Sequence, residues 1–239
     1  MGLIRTNNED TLLLAEPKLF AVADGMGGSN AGEVASKNAL HVFRAALERQ
    51  LEQDQPIPYA LRYGVSEANK HVYLLSMDRP DYKGMGTTLT ALYFENPLTA
   101  HVVQVGDSRL YRWRDGRLTQ ITKDQTMVGE LLSAGRITKE EAVQHPKKNW
   151  LLQAVGVDEV VQADISRVEI QPGDRYLLCS DGLSNMLTDQ ELSCGLQTED
   201  LAKVCDVLLE KALNNGGKDN ISMIVLGDFD KEDAHGANN

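Results

Sequence analysis

Leu19-Phe20-Ala21-Val22-Ala23 runs directly into Asp24-Gly25-Met26-Gly27-Gly28, and far down the chain Tyr176-Leu177-Leu178-Cys179-Ser180 runs into Asp181-Gly182. Short apolar runs of β-type residues bounded by turn chemistry read as buried strands. A third acid, Asp219, opens another such run, Asn220-Ile221-Ser222-Met223-Ile224-Val225. All three carboxylates are therefore expected where a strand meets a loop, at the rim of a core. Asp-Gly also suits a type I′ hairpin turn, and the chain contains a control. Asp115-Gly116 lies between Leu110-Tyr111-Arg112-Trp113-Arg114 and Arg117-Leu118-Thr119-Gln120-Ile121 and reads as a plain hairpin. Asp24-Gly25 and Asp181-Gly182 have no returning strand after them.

Working outward, strand patterns fall at 11–14, 19–23, 87–93, 99–105, 109–113, 118–121, 165–170, 176–179 and 221–226. They are short and joined by turn residues such as Glu95-Asn96-Pro97 and Gln171-Pro172-Gly173-Asp174, which argues for antiparallel pairing. Apolar residues recur every three or four positions over 31–51, 57–75 and 199–213, the signature of amphipathic helices that cover a sheet face. No βαβ alternation with a Gly-rich phosphate loop is present. The expected class is α+β, a four-layer α/β/β/α sandwich of two antiparallel sheets flanked by helix pairs.

The segment 123–157 reads as two short helices, 127–134 and 138–144, separated by Gly135 and followed by His145-Pro146-Lys147-Lys148-Asn149. A surface flap over a site and a plain helical connection fit it equally. No Pro/Gly/Ser-rich linker divides the 239 residues, so one domain over 1–227 is expected, with a flexible tail at 228–239. No stretch approaches 18 apolar residues and no signal peptide is seen, which points to a soluble cytoplasmic protein with no membrane contact. Cys179, Cys194 and Cys205 lack Cys-x-x-Cys spacing and read as free structural thiols. A formal charge of −11 argues against non-specific nucleic-acid binding.

Carboxylates about 4 Å apart repel by roughly 4 kcal/mol at an effective dielectric near 20. A proton, a basic residue or a cation must relieve that. Asp24, Asp181, Asp219 and the Gly25 carbonyl are the oxygen ligands that Mg²⁺ or Mn²⁺ prefers. Arg5-Thr6-Asn7-Asn8-Glu9-Asp10 adds a guanidinium suited to a bidentate grip on a phosphoryl group. Taken singly, Arg5 reads as a surface arginine and Glu9-Asp10 as a solvated turn. Val105-Gly106-Asp107-Ser108-Arg109 reads as a hairpin, and Gly84-Met85-Gly86-Thr87-Thr88 as a strand start close to neighbouring backbone.

In order, Arg-x-x-Asn-Glu-Asp at Arg5–Asp10, Val22-Ala23-Asp24-Gly25-Met26-Gly27-Gly28, Gly86-Thr87-Thr88, Val105-Gly106-Asp107-Ser108-Arg109, Cys179-Ser180-Asp181-Gly182-Leu183 and Asp219-Asn220-Ile221-Ser222 resemble the motif set of the bacterial branch of the metal-dependent protein phosphatase 2C family. The resemblance spans nearly the whole chain. It implies a phosphoserine/phosphothreonine protein phosphatase with two Mn²⁺ or Mg²⁺ ions in a cleft between the sheets and a weaker third ion. Asp24 would bridge both ions, Asp181 and Asp219 would hold the first, and the Gly25 carbonyl the second. Glu9 and Asp10 would orient metal-bound waters from the outer shell, Asp107 with Asp181 would hold the third ion, and Arg5 would clamp the phosphate. Metal-bound water would be the nucleophile, and 123–157 the variable flap. The implied partners are phosphorylated signalling proteins and a cognate serine/threonine kinase, with the chain a monomer.

Two departures stand out. Met26 and Ser29 occupy positions where family members carry a histidine, so no protein general acid is assigned. The front end, Met1-Gly2-Leu3-Ile4-Arg5, is short of a strand, which predicts an exposed sheet edge and a loosely tethered Arg5. Two alternatives accompany the leading reading. One is a catalytically inert regulator of the same fold that binds a phosphorylated partner; the other is a hydrolase of small phosphoesters.

Overall fold

The computed structural model describes residues 1–27, 31–227 and 229. Gly28, Ser29, Asn30 and the tail at 228 and 230–239 lie outside the described residues. In chain order the strands are β1 (Asp10–Ala15), β2 (Leu19–Met26), β3 (Gly86–Thr87), β4 (Leu89–Asn96), β5 (Thr99–Val105), β6 (Arg109–Arg114), β7 (Arg117–Gln120), β8 (Asp164–Glu169), β9 (Arg175–Cys179) and β10 (Met223–Leu226). The helices are α1 (Ala31–Glu52), α2 (Ile57–Asp78), α3 (Met127–Ser133), α4 (Lys139–Gln144), α5 (Asp181–Ser184), α6 (Asp189–Leu196) and α7 (Leu201–Asn214). One sheet has the order β1-β2-β4-β5-β8 with β3 added on β2, and the other β10-β9-β6-β7. Every pairing is antiparallel.

Successive side chains on a strand point to opposite faces, and this alternation builds the four expected layers. On β2, Leu19, Ala21 and Ala23 join Phe43, Leu47, Leu61 and Val65 of α1 and α2 in one core. Phe20 and Val22 face the other way, into a second core with Leu92, Val102, Leu110, Tyr176 and Leu178 between the sheets. On β9 the partners of those residues, Leu177 and Cys179, pack under Leu192, Leu196, Val204 and Leu208 of α6 and α7. Each fully buried Leu or Phe contributes about 1.5–3 kcal/mol.

The Asp115-Gly116 hairpin is as expected. Both residues have positive φ, 49° and 78°, and Arg114 pairs with Arg117. Val105-Gly106-Asp107-Ser108-Arg109 is not a hairpin, because β5 and β6 belong to different sheets. Its turn residues instead carry the chain across the sandwich. Nor does β2 stop at Asp24. Its pairing with β1 ends at the Asp10–Asp24 pair, and Gly25 and Met26 continue against Thr87 and Gly86 of β3. The strand expected at 221–226 starts late too: residues 220–222 are irregular and β10 opens at Met223. α5 and α6 carry no long apolar period and were not among the expected helices.

The segment 123–157 leaves β7 in one sheet and returns to β8 in the other, so it passes over the ends of both. Short bridges pin it, Thr126 to Leu151 and Thr87 to Val155. At the front, Leu3 N–H donates to the Gly217 carbonyl (2.7 Å), and β10 pairs only with β9 among the described strands. Phe229 stands against Phe94 and Tyr176, with ring centroids 5.7 and 5.9 Å away. No helix among the described residues is long and apolar enough to cross a membrane. The three cysteines are free, and burial pushes the Cys179 thiol up to about 12, as suits a packing residue.

Candidate metal centre and phosphate cleft

Asp24 has the same strand parity as Phe20 and Val22, so its side chain faces the second sheet at the point where the apolar filling ends. Its backbone is held on both sides: the N–H donates to Thr88 Oγ1 (2.9 Å), and its carbonyl accepts from the Thr88 N–H and Thr87 Oγ1 (both 2.9 Å). Gly86-Thr87-Thr88 therefore acts as a strand start that grips β2. Thr88 Oγ1 also meets Ser108 Oγ at 2.7 Å, tying Asp24 to the crossing that carries Asp107. That crossing rests on a buried amide floor. Gln104 Nε2 donates to the Gly106 and Ser108 carbonyls (2.8 and 2.9 Å), and Gln125 Oε1 accepts from the Gly106 N–H (2.9 Å).

From the opposite sheet, Ser180 stands just before α5, without a side-chain capping bond, and Asp181 follows in the first turn, where Asn185 Nδ2 donates to the Asp181 carboxylate (3.0 Å). Ser180 Oγ donates to Asp10 Oδ2 (2.8 Å) and accepts from the Ser222 N–H (3.1 Å). One hydroxyl thus joins the two sheets at the rim. Asn220 does the same for the front loop, accepting from the Glu9 N–H and donating to the Asn7 carbonyl, both at 2.9 Å. Asp219 Oδ2 receives Arg5 Nη2 at 2.8 Å. Arg5 is half exposed yet tethered, contrary to the loose attachment expected of it.

Arg5, Glu9, Asp24, Gly25, Asp107, Asp181 and Asp219 line one cleft of about 320 Å³. Asp10 is buried just behind it, with Oδ1 lacking a hydrogen-bond partner. Burial, then the charges of Asp10, Asp181 and Asp107, holds the Asp24 carboxyl well above the usual range. Asp107 is pushed up to about 7 by burial and by Asp181 and Asp124. Asp181 is raised by burial and Asp219, and Asp10 by burial against the opposing pull of Ser180. Glu9 is raised by burial, partly offset by Arg5 and by the Gly32 N–H at the start of α1.

These properties fit a hard divalent cation. The donors are all oxygens, their charges crowd one another, and a buried carboxylate oxygen lacks a hydrogen-bond partner. Gly25 lies so close to the Glu9 and Gly32 backbones that a Cβ there would overlap both, so only glycine lets this backbone into the cleft. Among the described residues, no three His, Cys, Asp or Glu side chains are drawn into a closed ligand cluster. Hydrogen bonds join the Asp24 carboxyl to those of Asp10 and Asp181, so the acids are crowded within the cleft.

A family model described as Protein phosphatase 2C matches residues 5–221. The chain belongs to the protein phosphatase 2C family. It is 44% identical to the serine/threonine protein phosphatase PstP of Mycobacterium tuberculosis over 94% of its own length and 43% of the relative's. The chain thus spans less than half of that phosphatase. It is 40% identical to the serine/threonine phosphatase stp of Listeria welshimeri, covering 94% of this chain and 92% of the relative. A crystal structure of the PstP catalytic domain in complex with two manganese ions superposes with a TM-score of 0.81 and 42% identity, covering 94% of this chain and 93% of that one. The four-layer fold is thus that of the phosphatase 2C family.

Several residues that shape this family cleft carried no recognised signal in the sequence. Asn220 and Ser180 sat inside quoted motifs but were not assigned roles. Gln104 and Gln125 look like ordinary strand and loop amides until the crossing between sheets is known. Asn149 and Leu151 reach the cleft from the flap. Arg109 grips Asp124 at the flap's root through Nε (3.0 Å) and Nη2 (2.6 Å), and donates to Tyr111 through Nη1 (2.9 Å).

Proposed function

We propose that this chain is a metal-dependent serine/threonine protein phosphatase whose phosphatase domain spans 1–227. The observation that carries the reading is the single cleft in which acids from both sheets converge beside Arg5. Asp24 would bridge a pair of Mn²⁺ or Mg²⁺ ions, with Asp181 and Asp219 on the first and the Gly25 carbonyl on the second. Glu9 and Asp10 would act from the outer shell, and Asp107 with Asp181 would hold a weaker third ion. When bound, the pair supplies Lewis acidity toward the phosphoryl group and lowers the proton affinity of water.

The chain's own residues do the rest. Arg5 commits one donor to Asp219, which orients the guanidinium over the cleft and leaves its other N–H groups for phosphoryl oxygens. Glu9, fixed by Asn220 through its backbone and by Gly32 through its carboxylate, is placed to accept protons from water. Thr88 and Ser108 keep the Asp24 and Asp107 backbones at constant separation. No histidine lines the cleft among the described residues, and no protein side chain is assigned as general acid toward the leaving alkoxide. An inert phosphate-binding regulator has no need of so many crowded acids, each costing folding free energy.

The proposed substrates are phosphoserine and phosphothreonine proteins made by a cognate serine/threonine kinase. Three free cysteines accord with a reducing cytoplasm, and we place the chain there as a monomer. The test is hydrolysis of a phosphothreonine peptide under Mn²⁺ and Mg²⁺ titration. Asp24→Ala is expected to abolish turnover with an unchanged circular dichroism spectrum; turnover that survives complete chelation would refute the proposal.

A further inference from the structure

Asn69 stands on α2, in the outer helix layer, and is 2% exposed. A buried amide costs stability unless its polar groups are paired, and here they all pair with one segment 87–90 positions away in the chain. Its nitrogen donates to the Asp158 and Glu159 carbonyls (both 3.0 Å), and its oxygen accepts from the Gly156 N–H (2.8 Å). Carbonyls take only donors and an N–H only an acceptor, so these partners fix which way the amide points. One turn further along α2, Val72 packs so closely on Gly156, at φ 89°, that a Cβ there would overlap it. Two turns earlier, Arg62 Nη1 donates to the Ala163 carbonyl (3.4 Å). The return of the chain from the flap toward β8 is thus stitched along one stripe of α2, with Asn69 at its centre.

The residue just before this latch leads to the acid cleft. Val155 is fully buried in the core under α1 and α2. It exchanges two backbone bonds with Thr87: the Thr87 N–H donates to the Val155 carbonyl (3.0 Å) and the Val155 N–H to the Thr87 carbonyl (2.8 Å). Thr87 lies opposite Gly25 in the β2–β3 pairing, and its hydroxyl donates to the Asp24 carbonyl (2.9 Å). β3 is only two residues long and makes few bonds of its own, so its place between β2 and Val155 depends on both neighbours. One of them carries Asp24 and Gly25; the other is held by Asn69.

Resting on the reading of the acid cleft as a metal centre, we propose that Asn69 is a positioning residue for that centre. From outside the cleft it fixes the register of the Val155–Thr87 bridge, and through Thr87 the backbone of Asp24 and Gly25. Removing the amide frees three backbone groups of the 156–159 segment at once, so the bridge loosens and the two ligand positions lose one of their supports.

The experiment uses the full chain at 10 °C, with Mn²⁺ binding followed by calorimetry and amide hydrogen exchange followed at Thr87 and Val155. Asn69→Leu keeps the volume and removes all three bonds; Asn69→Ala also leaves a cavity. Both are expected to weaken Mn²⁺ binding about tenfold, as loss of a support behind a metal ligand does, and to speed exchange at the two amides. With Mn²⁺ saturating, kcat on a phosphothreonine peptide should stay within threefold of wild type. Asp174→Ala removes a buried partner of Arg114 away from the cleft and serves as the control for stability loss alone; its Mn²⁺ affinity and the same two amides should match wild type. Mn²⁺ affinity within twofold of wild type in both Asn69 variants, unchanged exchange at Thr87 and Val155, or an equal loss of affinity in Asp174→Ala would each overturn the proposal. So would unfolding of both Asn69 variants at 10 °C, which would make Asn69 a stability residue. A wild-type chain that binds Mn²⁺ but leaves the phosphothreonine peptide intact would remove the phosphatase reading alone; one that binds no Mn²⁺ would remove both.

Discussion

Gly182→Ala separates geometry from stability at the metal centre. An alanine Cβ at this position would overlap the Asn220 carbonyl oxygen, stand 2.9 Å from the Asn220 carbonyl carbon, and lie 3.3 Å from Asp219 Cβ. Carbon atoms rest at about 3.5–4.0 Å, and clearing the overlapped carbonyl oxygen is the larger demand, so the 219–220 backbone must recede by more than about 1 Å. The direction matters because Gly182 follows Asp181 and its obstacle follows Asp219. Retreat therefore widens the distance between two carboxylates that would serve one ion. Asn220 also holds the Glu9 N–H and the Asn7 carbonyl, so the front loop moves with it.

Overpacking of this size costs about 1–3 kcal/mol. Alanine in a helix recovers about 1 kcal/mol relative to glycine, and no positive φ is imposed at residue 182. The net loss is about 0–2 kcal/mol, a fall in Tm of no more than about 8 °C for a chain of this size. A misplacement near 1 Å in a catalytic constellation costs about a hundredfold in rate. The expected outcome is a protein folded at 25 °C, with kcat/KM on a phosphothreonine peptide down about a hundredfold and weaker Mn²⁺ binding by calorimetry. A variant with kcat/KM within threefold of wild type would show that the Asp181–Asp219 spacing does not govern the site.

Three further outcomes follow from the same geometry. Arg5→Lys keeps the charge but loses the planar fork, so KM should rise about tenfold with stability within about 1 kcal/mol of wild type, because the Arg5–Asp219 pair is exposed; an unchanged KM would remove Arg5 from phosphate binding. Asp174, fully buried, accepts from Arg114, the Gln171 N–H and Tyr176, all away from the cleft. Asp174→Ala should cost about 3 kcal/mol in urea unfolding and leave peptide turnover at 10 °C intact. Finally, Asp10, Asp24, Asp107 and Asp181 all have carboxyls raised in the folded state, Asp107 from 3.8 to about 7. The native chain then binds more protons than the unfolded one across that window, so stability under chelation should fall as pH rises from 4 to 7 and level off above. Thermal melts at stepped pH check this; Asp107→Asn should flatten the slope, and a slope of opposite sign would contradict the crowding.

Much of this architecture was legible in one dimension. Leu19–Ala23, the two long helices and the Asp115-Gly116 turn were readable because strand alternation, helical period and turn chemistry act over a few neighbouring residues. Short helices escaped that reading. α5 has four residues, too few for a period, and its existence depends on Ser180 being fixed by Asp10 and Ser222. The site acids were legible for another reason, namely that six motifs stood in family order.

Local pattern alone set the identity of the longer elements, which faces were apolar, and the presence of more carboxylates than a plain rim requires. Which sheet each strand joined was decided by pairing between residues far apart in the chain. That pairing turned 105–109 from a supposed hairpin into a crossing between sheets, bringing Asp107 beside Asp24 and Asp181. It likewise carried the flap from one sheet to the other, so that Asn149 and Leu151 reach the cleft and α3 faces the α5–α6 connection. Neither placement leaves a local trace, because the hydrogen bonds that fix them, Thr88 to Ser108 and Gln125 to Gly106, join residues about 20 positions apart.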